Sequence, residues 1–90
     1  MKKIEALNFR MTCMACPTQY EFEDALGNQY YFRLRWGGWT LYDITKEEWK
    51  LLASGGYGDC YEGCCDEEEF LKILKQSGYE IIIKTRVVEL

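Results

Sequence analysis

Five cysteines are the residues of this chain best suited to chemistry. They fall in two clusters, Cys13-x-x-Cys16 and Cys60-x-x-x-Cys64-Cys65. Grouped thiolates of this kind suit a structural zinc, which takes four of them in a tetrahedron. Zinc would draw on Cys13, Cys16, Cys60 and Cys64, with Cys65 as a substitute for Cys64, and would brace a thin core. The gap between the clusters exceeds the roughly 15–20 residues of the familiar zinc ribbons, so the two loops would have to meet at one end of a sheet. The plainer alternative is reduced thiols packed as small hydrophobes. Thioredoxin-like redox chemistry needs Cys-x-x-Cys at a helix N-terminus, where the dipole lowers a thiol's pKa. Here Pro17 leads Cys16 into a strand instead. The spacing also fits no common iron–sulfur run. The expected cofactor is therefore none, or structural zinc. The zinc alternative requires near-stoichiometric metal in protein purified without chelator, and folding that is lost in EDTA.

The chain has no histidine. That removes the usual general base, every Ser-His or Cys-His nucleophile pair, and the commonest metal ligand. Asp59, Glu62, Asp66 and Glu67 could gather a hard cation, but a solvated loop and a helix cap explain them as well. Gly55-Gly56-Tyr57-Gly58 follows an expected helix instead of preceding one, so it is no phosphate cradle. The remaining candidate is a basic–aromatic strip: Tyr31, Arg33, Arg35 and Tyr42. Such a strip can stack on, and pair with, a protein or a single-stranded nucleic acid. It can equally be neutralised by Glu21 and Glu23 across the strands, or be covered by a helix.

Two hairpins decide which face that strip occupies. Glu23-Asp24-Ala25-Leu26-Gly27-Asn28 fits a three-residue loop, Ala25 to Gly27, with Gly27 in the left-handed position. Phe22 then faces Tyr30, Tyr20 faces Phe32 and Thr18 faces Leu34, all on one side. Glu23–Gln29, Glu21–Tyr31 and Gln19–Arg33 fall on the other. A slip of one residue would mix the two sets. The next turn is expected at Gly37-Gly38, which tolerate positive φ. That places Trp36 opposite Trp39, Leu34 opposite Leu41, Arg35 opposite Thr40 and Arg33 opposite Tyr42. The core face becomes Tyr20, Phe22, Tyr30, Phe32, Leu34, Trp36, Trp39 and Leu41.

Before these hairpins, residues 3 to 11 alternate as a strand, with Leu7, Phe9 and Met11 on one face. After them, Thr45-Lys46-Glu47-Glu48 reads as a capping box. It predicts a helix whose apolar stripe is Trp49, Leu52 and Ala53 and which stops at Ser54-Gly55-Gly56. A second helix is predicted from Asp66, with Glu69 three residues on and an apolar side of Phe70, Leu71, Ile73 and Leu74. Residues 79 to 89 form a last strand. The expected fold is α+β: an antiparallel meander with two short helices packed on one face, in the order β-β-β-β-α-α-β.

The chain's 90 residues are enough for one domain over 1–90, and 48% apolar residues, aromatics included, are enough for its core. A net charge of −4 disfavours nucleic acid and anionic membranes as partners. No apolar run approaches the roughly 20 residues that span a bilayer, and the N-terminus lacks a signal-peptide core. The expected setting is cytoplasmic. The stretch Ala15 to Glu21, together with Tyr31 to Gly37, resembles a pattern in short uncharacterised bacterial and phage proteins. That resemblance covers roughly the first half of the chain. It implies a prokaryotic or phage setting and a meander, but no known activity. The function expected is a small accessory or protein-interaction domain, with or without zinc. The alternatives are an acidic phage-type inhibitor of a basic host protein and a thiol-based redox sensor or enzyme. The oligomeric state is open.

Overall fold

The computed structural model describes residues 2–13, 18–56 and 66–87. Its elements are β1 (Lys2–Cys13), β2 (Thr18–Glu23), β3 (Gln29–Arg35), β4 (Gly38–Asp43), β5 (Lys50–Gly56), α1 (Glu67–Gln76) and β6 (Tyr79–Ile83). The strands make one sheet in the order β5-β4-β3-β2-β1-β6. Neighbours run antiparallel except β1 and β6, which are parallel. The fold is thus a mostly β, mixed six-stranded sheet with one short helix among the described residues. The expected α+β meander with two helices is corrected on both counts.

The β2–β3 hairpin has the expected register, from Thr18 opposite Leu34 to Glu23 opposite Gln29. Asp24 makes the turn. Its carboxylate accepts from the Leu26 and Asn28 backbone N–H groups at 3.0 and 2.9 Å, from Asn28 Nδ2 at 3.0 Å and from Tyr30 Oη at 2.9 Å. Gly27 takes the left-handed conformation, with φ +87°.

In the β3–β4 hairpin Leu34 lies opposite Trp39, Arg33 opposite Thr40 and Tyr31 opposite Tyr42. The turn is therefore Trp36-Gly37, one residue earlier than expected, with φ of 56° and 71° at its two central residues. Positive φ at both positions defines the type I′ turn, whose twist suits a hairpin. The shift moves each pairing by two residues, so inner and outer faces survive. Only Trp36 changes role, leaving the core for the turn.

The predicted helix at Thr45 is strand β5 instead. The Asp43 carboxylate, not Glu48, answers Thr45: it accepts from the Thr45 N–H at 2.9 Å and from its hydroxyl at 2.5 Å. The Thr45 hydroxyl in turn accepts the Gln29 N–H at 2.8 Å. These bonds hold residues 45–48 in a bend, an outcome short polar side chains favour over a helix. The chain then pairs with β4, and a register shift between Leu41 and Tyr42 accommodates Leu52. Leu52 and Ala53 pack against the core through that shift.

Trp39 lies across Gly55. A Cβ built on Gly55 would sit 2.8 Å from Trp39 Nε1. Gly55→Ala is therefore expected to lower stability by about 1–3 kcal/mol through overpacking, read as a lower urea midpoint with an unchanged slope.

In β1 the parity breaks at Asn8, which is left-handed with φ 53°, and the pairing with β2 shifts between Leu7 and Arg10. Asn tolerates this conformation better than most residues. Its side chain donates to Glu23 at 3.0 Å and its N–H to the Thr85 hydroxyl at 2.8 Å. Ile4, Ala6 and Phe9 therefore point inward, and Met11 is exposed. The expected Leu7–Phe9–Met11 face is corrected to that extent.

Helix α1 begins where the capping pattern put it. Asp66 accepts the Glu69 N–H at 2.9 Å, and Phe70, Ile73 and Leu74 are buried. The helix covers the core face of the sheet. No helix of the described residues is long and apolar enough to cross a membrane. The last strand is Tyr79–Ile83, shorter than expected, with a single further bridge from Arg86 to Phe9.

Candidate functional site

The opposite face of the sheet has no helix over it among the described residues. Alternation along β3 puts Tyr31, Arg33 and Arg35 there in one row. Tyr42 stands opposite Tyr31, and Thr40 opposite Arg33. Trp49 precedes β5, and its ring lies 5.5 Å from that of Tyr31 and 5.7 Å from that of Tyr42, centre to centre. Trp36 closes the other end at the turn, with the Arg35 guanidinium 5.6 Å from its ring centre. Together these residues line a groove of about 490 Å³. Both end walls are exposed, Trp36 by 64% and Trp49 by 55%. Trp39, on the core side, is exposed by only 3%.

All four residues of the basic–aromatic strip, Tyr31, Arg33, Arg35 and Tyr42, thus meet in one groove. Glu21 and Glu23 do not neutralise it. They pair instead with Arg10 of β1, at 4.0 and 3.5 Å. That strand lies beyond β2, on the side away from β3. Among the described residues neither Arg33 nor Arg35 has an ion-pair partner. The Arg33 Nε is enclosed and has no hydrogen-bond partner among the described residues. Enclosing a donor without an acceptor costs about 1–3 kcal/mol.

Sequence reasoning put Trp36 on the core face and Trp49 on a helix, whereas both are exposed at the groove. A type I′ turn on Trp36-Gly37 was a legal alternative, but a bulky residue at positive φ is disfavoured. For Trp49 the usable signal was its alternation with Leu51, which continues the Tyr42 face across to β5.

The carboxylates that set these strands in place also titrate abnormally. Burial works to raise the Asp24 carboxyl, but the hydrogen bonds from Asn28, Tyr30 and Leu26 outweigh it and hold it below its ordinary value. The Thr45 hydroxyl and N–H hold Asp43 low. Arg86 does the same to Glu67 through paired bonds of 2.6 Å. Burial, and then Asp24, push the Tyr30 phenol far above its usual range. A depressed carboxyl contributes stability above its unfolded value and loses it as pH falls through the folded one. The urea midpoint should therefore fall as the pH drops below about 4. A midpoint that holds or rises on acidification would contradict these assignments.

Of the candidate zinc ligands, Cys13 ends β1, its backbone opposite Gln19. Cys16, Cys60, Cys64 and Cys65 lie outside the described residues, as do Asp59 and Glu62 of the acidic group. Asp66 is the cap of α1 and Glu67 the partner of Arg86. Among the described residues no three metal-ligating side chains gather.

No family model, curated protein or solved structure matches the chain.

Proposed function

We propose that this chain is a non-enzymatic protein-interaction domain that binds its partner in the groove between Trp36 and Trp49. One observation carries the reading. Trp36, a bulky residue, is held at positive φ and mostly exposed at the rim of a groove whose arginines have no ion-pair partner among the described residues. Residues kept in sparsely populated backbone regions cost on the order of 1–3 kcal/mol and cluster at binding sites. Aromatic and arginine side chains are also the types that dominate binding energy at interfaces. The absence of histidine removes the commonest general acid–base group.

A selection from a displayed library of short random peptides tests this. The parent protein is the bait, and a folded Trp36→Asn, Trp49→Ala double variant is the counter-bait. Peptides retained by the parent and not by the variant support the reading. Equal recovery on both, with both proteins folded by circular dichroism, would refute it.

A further inference from the structure

Resting on that reading, we infer that the groove takes an extended, acidic peptide segment whose alternate carboxylates pair with Arg33 and Arg35.

The spacing comes first. Arg33 and Arg35 are two apart on one strand, so their stems leave the same face roughly 7 Å apart. Residues two apart in any extended segment share that spacing and that sidedness. An extended chain lying along β3 would thus present its i and i+2 side chains to the two guanidinium groups. The row from Tyr31 to Arg35 runs roughly 13 Å, the length of about four extended residues. The groove's volume of about 490 Å³ is compatible with side chains of a segment that short.

Charge comes second. The groove lining carries two guanidinium groups and no carboxylate. A planar guanidinium takes a carboxylate through two parallel hydrogen bonds, and such charged pairs are shorter and stronger than neutral ones. The Arg33 Nε is itself enclosed, with no acceptor among the described residues, so a carboxylate would pair with the terminal nitrogens of the guanidinium.

Polarity of the walls comes third. Trp36 and Trp49 flank the arginines with large exposed rings. They suit apolar or proline side chains on either side of the acidic pair, since aromatic-lined grooves commonly hold extended segments.

A nucleic acid strand would also offer anions and flat rings. It fits less well. Nucleic-acid grooves track the backbone with clustered positive charge. This chain has a net charge of −4, and no lysine lines the groove.

The experiment takes peptides enriched on the parent protein and measures their affinity for the parent, Arg33→Gln, Arg35→Gln and Arg33→Lys. Enriched sequences should carry Asp or Glu at alternate positions. Each Gln variant should weaken binding by about tenfold or more, and Arg33→Lys should recover part of the loss. Affinity should also fall as salt rises. Enriched peptides that are neutral or basic, or affinities unmoved by both Gln variants, would overturn the acidic-segment inference and leave the interaction reading standing. No enrichment over the tryptophan double variant would bring down both. Oligothymidine that displaces the peptides, or binds more tightly than they do, would reassign the groove to single-stranded nucleic acid and overturn both as well.

Discussion

Phe70→Ala should lower the free energy of unfolding by about 3–5 kcal/mol, the range for removing a buried phenylalanine. Phe70 is fully buried on α1, and its ring meets four others from the sheet. Those of Tyr20 and Phe32 lie at 4.8 Å, that of Phe9 at 5.6 Å and that of Phe22 at 6.2 Å. The five rings come from α1, β1, β2 and β3, so this one side chain ties the helix to three strands. Small domains have only about 5–15 kcal/mol in total, and the variant should populate the unfolded state on mild heating. Urea denaturation followed by far-ultraviolet circular dichroism measures the change. Phe70→Leu, which keeps most of the volume, should lose far less. A loss below about 1 kcal/mol for the alanine variant, outside the range for such truncations, would mean that the helix does not seat on the sheet in this way.

Trp36→Asn should do two things of opposite sign. It should raise stability by about 0.5–1 kcal/mol. Asn-Gly is the pair that type I′ turns favour, and a tryptophan at φ 56° carries strain that asparagine relieves. The lost contact with the Arg35 guanidinium offsets part of the gain. The same substitution should weaken binding of a groove peptide by about 2 kcal/mol, roughly thirtyfold, the scale of an interface tryptophan. A residue present only for folding would move both quantities the same way. A variant that is less stable and binds unchanged would remove Trp36 from the account.

Several of these features were legible from residue order. The β2–β3 hairpin was, because its polar and apolar residues sort in one register only and Asp24 and Gly27 mark the turn. That alternation also placed Tyr31, Arg33 and Arg35 on one face, and Tyr42 with them. The second hairpin kept its faces but not its register. Gly37-Gly38 is the better turn by local preference, whereas the structure uses Trp36-Gly37. Local pattern failed outright at Thr45, where a capping box competed with Asp43 for the same hydroxyl and N–H, and where β4 needed a partner at its outer edge. Trp49 went astray with it. The Asn8 bulge was invisible because one left-handed residue reverses the parity of everything before it. The parallel pairing of β6 with β1 was equally hidden, since a run such as Ile81-Ile82-Ile83 carries no direction. The cysteines, the most conspicuous signal in the chain, supply to the described fold only the backbone of Cys13.

The three tryptophans give the most direct test of whether one face is core and the other a binding surface. An amide-correlation spectrum of the labelled protein resolves each indole N–H. During titration with an acidic peptide from the selection, the Trp36 and Trp49 signals should shift and the buried Trp39 signal should stay in place. A shift confined to Trp39, or none at the two groove tryptophans while the peptide binds, would contradict the account.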